Sequence, residues 1–303
     1  MDGKELLYRL RQLLSEDETS GFMDNKTSYS FLYEAALEFV VRTDSLKSTQ
    51  SITTVADQKN YTLNADFMRL YLKNDENELF IKYNDGTNTA FILLRDYEDI
   101  ILSNQTTSVS IPDRFTIIDD PTLDSRISGT ATSAGAISAG ESTLTDTSAD
   151  FSDVSVGDVV HNTTDGSDGF VLSKTSSTVL VVALFGGTAN DWTSSDAYVI
   201  QPQGRLQIIL DPPPSTAGHT ITVEYVQKPN IVASDYGVYR FPPQYADAVV
   251  KYAAFLYKYR DREVNFGDAY FQIFNRAVHN HAKSLNKSLG RGGYSVNFKK
   301  RSS

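Results

Sequence analysis

The chain has 303 residues, of which 40% are apolar and 22% charged, as is typical of a folded protein with one large domain or two smaller ones. It contains no cysteine, which excludes disulfides, thiol nucleophiles and thiolate metal sites. No apolar run approaches the roughly 20 residues of a membrane-spanning helix, and the first residues lack a secretory pattern, so we expect a protein made and kept in a cytoplasm.

The N-terminal region predicts two helices. Leucines at spacings of three, four and seven place one apolar stripe between Lys4 and Leu14, and a second helix is predicted from about Ser28 to Arg42. Short extended runs separated by polar turns follow, which is typical of antiparallel strands. These runs are Ser51–Val55, Tyr61–Leu63, Met68–Leu72 and Leu79–Tyr83, before a short helix from Arg95 to Leu102 and a strand after Pro112.

The composition changes at Ser128. Between Ile127 and Gln203 nine acidic residues stand against one lysine, so this stretch carries −8 of the net charge of −10. Short β-type runs recur there between turn signals such as Asp165-Gly166, which favours a small all-β domain over a disordered linker. We therefore predict an inserted small β-barrel or sandwich at 125–203 and a discontinuous core of residues 1–124 and 204–289.

Two alternating runs follow this segment, Arg205–Leu210 and Thr220–Val226, with Asp211-Pro212-Pro213-Pro214 between them. Because proline cannot donate to a ladder, the triplet belongs outside the strands. The two runs predict a hairpin with a long connection.

The last third predicts two long helices. The first begins at Phe241-Pro242-Pro243 and is apolar on two faces, and the second runs from about Asn265 to Leu289. Both apolar faces of such a helix must pack against other parts of the protein, and a neighbouring subunit is the candidate for one of these contacts. We therefore predict that subunits pack through Tyr245, Val249, Tyr252, Leu256, Tyr257 and Tyr259.

The predicted fold class is α+β. A helical bundle, made of the N-terminal helix pair and the two long C-terminal helices, carries a small antiparallel β-sheet and the inserted small all-β domain. Residues 290–303 form a flexible basic arm with two aromatic residues. Three roles stay open for the arm: contact with nucleic acid, a solubilising terminus, or anchoring in a groove of a partner protein.

Signals for catalysis are weak. Carboxylates near the N-terminal helices (Glu5, Glu16, Glu34, Glu38 and Asp44) could in principle support glycoside cleavage, but such charges are usually solvated. His279 and His281 stand two apart and so point away from each other on a helix, and we interpret these two, with His161 and His219, as surface histidines. The stretch Asp165–Gly169 is explained by a hairpin turn better than by a calcium loop. We expect no enzyme, no cofactor and no metal.

The ordered series of elements resembles the bacteriophage head-to-tail adaptor family, which includes head-completion and tail tubular A proteins. The resemblance covers roughly residues 1–124 and 204–303. It rests on the N-terminal helix pair and on Pro112–Phe115, Leu206–Leu210, Ile221–Pro229 and Phe241–Ala248. The segments Thr143–Phe151 and Val156–Val160 resemble small β modules grafted into phage structural proteins.

The resemblance implies a virion protein made in the host cytoplasm and located at the head–tail junction. It would form a homo-oligomeric ring, typically twelvefold, that joins the portal protein to a downstream tail or nozzle protein and lines the DNA channel, with non-specific contact to passing genomic DNA. The insert at 125–203 would reach a tail fibre or spike. Portal docking is expected of the arm through Arg291, Tyr294, Phe298, Lys299, Lys300 and Arg301.

The alternative function is a cell-wall or glycan-acting phage protein, either a lytic hydrolase or a carbohydrate-binding module. A host cytoplasmic protein without a viral role is the third interpretation.

Overall fold

The computed structural model describes residues 2–16, 23–103, 107–120, 126–202, 204–241, 243–260 and 264–288, with side chains in the last range described for 267–281. Within these ranges the chain forms fourteen β-strands and five α-helices. None of the helices in the described ranges is both long and apolar enough to cross a membrane.

Two helices open the chain. Helix α1 (Gly3–Leu14) begins where the Asp2 carboxylate accepts from the Glu5 amide at 2.8 Å, and α2 (Asn25–Thr43) begins where Asp24 accepts from Thr27 at 2.6 Å. An aspartate before the first turn satisfies a backbone donor that the helix leaves free. Both helices were predicted from the sequence, and both are confirmed.

The first sheet has eight strands, drawn from both sides of the acidic segment. The order is β1-β14-β4-β5-β6-β13-β2, and β3 also pairs with β14. The strands are β1 (Lys47–Thr53), β2 (Asn60–Thr62), β3 (Phe67–Leu70), β4 (Phe80–Asn84), β5 (Thr89–Leu94), β6 (Arg114–Asp120), β13 (Arg205–Asp211) and β14 (Thr220–Gln227), with helix α3 (Tyr97–Ser103) between β5 and β6.

The two end strands of this sheet meet through one side chain. Gln50 of β1 donates from Nε2 to the Thr62 carbonyl of β2 at 3.1 Å and accepts from the Asn64 amide at 2.9 Å. The sheet therefore curls towards a barrel, which protects strand edges that would otherwise be open to pairing with other chains. Its interior is an apolar core that includes Tyr83, Phe115 and Tyr225.

The second sheet has six strands in the order β7-β12-β9-β10-β11-β8. Its ends approach each other where the Thr132 amide donates to the Thr145 carbonyl at 2.7 Å. A separate core fills it, centred on Trp192, Tyr198 and Phe151. The strands are β7 (Ile127–Thr130), β8 (Ser142–Thr145), β9 (Val159–Asn162), β10 (Ser167–Ser176), β11 (Val179–Phe185) and β12 (Ala197–Gln201). The predicted boundaries at 125 and 203 fall outside the described residues.

Two helices end the described chain: α4 (Ala246–Arg260), preceded by a 3₁₀ turn at Pro243–Tyr245, and α5 (Val264–Ser288). They pack with α1 and α2 over a third core that includes Leu10, Phe39 and Phe274.

The predicted fold class is wrong in its central statement. The chain is not a helical bundle with a small sheet, because most of its elements are strands and its largest element is the eight-stranded sheet. The strands are three to ten residues long and scattered along the chain, so each has a weak signal while the helical stripes are long and regular.

The predicted hairpin of the two late strands is also wrong. β13 pairs with β6 and β2, whereas β14 pairs with β1, β3 and β4. The proline triplet does lie between the strands, as expected, but the chain crosses the sheet there instead of turning back.

Candidate interaction surface

The six α4 residues predicted to pack against a neighbouring subunit, called here the α4 seam, are in part buried inside the chain. Val249 is 0% exposed and Tyr257 3%, and the Tyr257 hydroxyl donates to Glu16 Oε1 at 2.6 Å. Helix α4 contacts α1 and α2 as well as α5. The second cover that we assigned to a neighbouring subunit is therefore supplied, for these two residues, by the chain's own N-terminal helices.

The other four seam residues are less buried. Tyr245 packs on Phe39 with ring centroids 4.9 Å apart, Tyr252 packs on Phe274 at 4.4 Å, and both are half-buried, as is Leu256. Tyr259, at the end of the helix, is 63% exposed. The role of the six residues in subunit packing stays a prediction, and Tyr259 is the one whose side chain is mostly free of intrachain cover.

A partly exposed aromatic cluster extends from Tyr259 across α4 and α5. Phe255 stacks on Phe271 with centroids 5.1 Å apart and ring planes 29° apart, and Tyr259 lies 5.8 Å from Phe255. Tyr252 completes the group at 6.1 Å from Phe271. We call Tyr252, Phe255, Tyr259 and Phe271 the outer aromatic cluster, and each keeps part of its surface accessible to solvent.

Sequence reasoning did not single out Phe255 or Phe271. Phe255 is not one of the α4 residues, spaced by four and three, that were predicted to pack against a neighbouring subunit. A Cβ added at Gly267 would lie only 3.2 Å from the Phe255 ring. Arg42 of α2 lies 5.8 Å from the Phe271 centroid and 5.6 Å from that of Phe274, a cation–π geometry. The one available signal was the density of aromatic residues in both helices.

The six arm residues predicted to bind the portal lie outside the described residues. They are Arg291, Tyr294, Phe298, Lys299, Lys300 and Arg301. Their role stays a prediction.

The six-stranded sheet packs directly on the helices. Phe185 of β11 lies against Tyr29 of α2 with centroids 6.4 Å apart, and Ala183 belongs to the helical core. Polar contacts flank this interface: Lys26 Nζ lies 3.7 Å from Asp168, and the Ser234 hydroxyl donates to Glu141 at 2.7 Å. The sheet is thus held against the rest of the chain by a shared apolar core.

The candidate catalytic carboxylates mostly take part in ion pairs and hydrogen bonds. Four of the five are bound to a cationic or hydroxyl partner, the arrangement of ordinary surface ion pairs and hydrogen bonds. These contacts join Glu5 to Arg9, Glu16 to Tyr257, Glu38 to Arg42 and Asp44 to Arg69.

The prediction of surface histidines is wrong for His281, which is 7% exposed and packs against Tyr245 at 5.0 Å. Burial lowers its pKa. His279 is exposed, whereas His219 and His161 are half-buried beside Tyr83 and Asp168 respectively. In the part of the chain that the structure describes, no group of three or more His, Cys, Asp or Glu residues is placed to hold a metal ion.

The acidity of the six-stranded sheet comes partly from buried turn residues. Asp146, Asp158 and Asp196 are at most 4% exposed. Burial opposes ionisation of Asp196, but hydrogen bonds from the Thr193 amide and hydroxyl and from Asn162 outweigh it and lower the pKa. The Asp165–Gly169 stretch forms the β9–β10 turn and the start of β10, which confirms the hairpin interpretation.

The structure thus combines two sheet cores with a partly exposed aromatic cluster on the terminal helices. The family model of the SU10 adaptor protein matches residues 123–293, more than half of the chain, and the chain belongs to this family of phage adaptor proteins. It is therefore a structural component of the phage particle whose partners are other head and tail proteins. No curated protein matches the chain.

The matched region overlaps only in part with the one that carried the resemblance in the sequence. It begins at 123 and includes the six-stranded sheet, β13, β14, α4 and all of α5, but not the N-terminal helix pair or Pro112–Phe115. The acidic segment, predicted above to be an inserted domain, lies within the part of the chain that the family model matches.

Proposed function

We propose that this phage adaptor joins the capsid portal to the tail as a homo-oligomeric ring of the head-completion and tail tubular A type. Twelve copies at the head–tail junction would line the DNA channel, with a tail or nozzle protein below them and non-specific contact to the passing genome. The protein would be made in the host cytoplasm and act in the virion. Family membership supports the adaptor role, and the outer aromatic cluster supports assembly.

The outer aromatic cluster supplies the physical argument for contact between copies. Tyr259 is 63% exposed although it stands beside half-buried Phe255. Burying an exposed aromatic side chain contributes about 1.5–3 kcal/mol per residue. In a ring this gain repeats at every interface, which favours a neighbouring subunit as the cover for Tyr259.

The arm at 290–303 is proposed to dock on the portal. Its basic residues and its two aromatic residues combine charge with large apolar groups, a pairing that is enriched where proteins anchor in partner grooves. A terminal segment can order on its partner at the moment of binding.

The segment 125–203 is proposed to be an inserted domain that presents a surface to a tail fibre or spike. Its contacts with α2 through Phe185 and Lys26 would give it a fixed orientation on each subunit. A fixed orientation suits a domain that has to present the same surface to a partner on every subunit of a ring.

The test of the arm is a truncation that removes residues 290–303. We expect a folded protein that no longer joins portal-bearing heads, since all six predicted contacts are lost. The matched control removes only 302–303, keeps those six residues and should join heads normally. Normal attachment by the 290–303 truncation would reject the docking role.

A further inference from the structure

A cleft of about 720 Å³ separates the N-terminal helices from the six-stranded sheet. Its walls come from α1, from the start of α2, from the turns before and after the β10–β11 hairpin, and from the loop at Asp235. The lining is mostly polar and includes three basic side chains, Lys4, Arg11 and Lys26. We call this space the α1–α2 cleft. None of the functions considered above uses it.

Arg11 is the unusual residue of the α1–α2 cleft. It is only 8% exposed, and its Nη2 donates to Asn25 Oδ1 at 2.6 Å. Among the described residues this amide is its one hydrogen-bond partner, and no carboxylate there comes within 4.0 Å of its nitrogens. A guanidinium carries five N–H donors, and a buried charge without a counter-ion is costly.

Each of the two lysines has an ionic partner in the lining. Lys4 Nζ lies 3.7 Å from Asp235 and Lys26 Nζ lies 3.7 Å from Asp168, within ion-pair range. The Asp24 carboxylate accepts from the Thr27 amide as the cap of α2. One positive charge, that of Arg11, is therefore left without an ionic partner among the described residues that line the cleft.

We propose that the α1–α2 cleft binds a carboxylate, with the Arg11 guanidinium as its principal partner. A single unpaired cation matches a monoanion, whereas the nearby carboxylates of Asp24, Asp168 and Asp235 disfavour a phosphate dianion. The planar fork of arginine fits the two oxygens of a carboxylate. The carboxylate belongs either to a small acid or to an acidic side chain of a bound peptide. The proposal does not depend on ring formation or portal docking.

The test compares thermal unfolding of the full chain in sodium chloride, sodium acetate and sodium phosphate at pH 7 and equal ionic strength. We expect acetate to raise Tm by about 2 °C over chloride. The peptide acetyl-Ala-Glu-Ala-amide, with one free carboxylate, serves as the second probe. A larger shift with the peptide than with acetate indicates an acidic peptide, and the reverse order indicates a small acid.

Arg11→Gln should abolish the shift. The matched control is Arg9→Gln on the same helix, because Arg9 is exposed and paired with Glu5, and it should keep the full shift. A second readout needs no variant: the Arg11 Nε–Hε resonance of the wild type should move on acetate titration. The proposal is overturned by equal Tm in acetate and chloride, by an equal shift in Arg11→Gln, or by a larger shift in phosphate.

Acidic residues of the chain itself are examined in a further experiment. Asp17 and Glu18 stand in sequence between α1 and α2, outside the described residues. Acetate binding by the double variant D17N/E18N, together with none by the wild type, would assign the counter-ion to these residues and reject an external carboxylate.

Discussion

Asp211 and Arg114 face each other as register partners at the ends of β13 and β6, and Arg114 Nε donates to Asp211 Oδ2 at 3.0 Å. The carboxylate is fully buried, and it also accepts from the Ser103 hydroxyl at 2.6 Å and pairs with Lys59 at 3.4 Å. Asp211 of β13 thus links α3, β6 and the residue that precedes β2.

Asp211→Ala should lower the free energy of unfolding by about 3 kcal/mol, because it removes the buried carboxylate that pairs with two partly buried cations. Denaturant titration measures the loss. The matched control is Asp113→Ala, since Asp113 lies 3.8 Å from the same arginine but is exposed, and its removal should cost less than about 0.5 kcal/mol. Equal losses in both variants would contradict the role given to the buried carboxylate.

The interface between the six-stranded sheet and the helices should contribute to stability. Phe185→Ala removes the ring that packs on Tyr29 and should lower the free energy of unfolding by about 2 kcal/mol. The control is Ile137→Ala, since Ile137 is 51% exposed, and it should change stability by less than about 0.5 kcal/mol. If Phe185→Ala behaves like the control, the two parts of the chain fold without support from each other.

Glu224 should make stability depend on pH. The hydrogen bond from Lys82, helped by one from Tyr71, lowers the pKa of this carboxyl below its ordinary value of 4.5. A lowered folded-state pKa means that the contribution is fully present above the unfolded-state pKa and is lost as the pH falls through the folded-state pKa.

The wild type should therefore be more stable than Glu224→Gln at pH 7, by up to about 1 kcal/mol, and the difference should shrink as the pH falls below 4.5. Denaturant titrations at pH 7 and pH 3 measure it. Glu76→Gln, at an exposed glutamate, is the control and should show no such trend. A constant difference between Glu224→Gln and wild type at both pH values would contradict the assignment.

Substitutions at the outer aromatic cluster and in the core beneath it should affect assembly and folding separately. Tyr259→Ala should leave the free energy of unfolding within about 0.5 kcal/mol of wild type, because the side chain is 63% exposed, yet weaken self-association. Phe274→Ala, at a fully buried neighbour in the core, should instead cost about 3–5 kcal/mol. Sedimentation of Tyr259→Ala indistinguishable from wild type would remove Tyr259 from the subunit contact.

Local features were well predicted by the sequence. The leucine stripe of α1, the extent of α2 and five strands of the six-stranded sheet follow from periodicity and turn residues, which act over a few neighbouring positions. β5 and β7 were missed. The large apolar residues of β5 are consecutive (Phe91–Leu94) and do not alternate with polar residues, and the four-residue β7 has a single large apolar residue, Ile127.

Long-range pairing could not be predicted in the same way. Asp211 meets Arg114 from 97 residues away, and β14 pairs with β1 along one edge and with β4 along the other. The sequence of a strand does not specify which distant strand it pairs with. The same reason explains the α4 seam, because the second apolar face of α4 is covered by α1, whose sequence lies more than two hundred residues earlier.

We propose above all that copies of this adaptor assemble side by side on a portal. The most direct test is the mass of the purified full-length protein in solution, measured alone and with portal complexes. We predict a higher-order species that forms in the presence of portal and contains multiple copies of the chain. A protein that stays a single chain at high concentration and does not bind portal complexes would contradict the account.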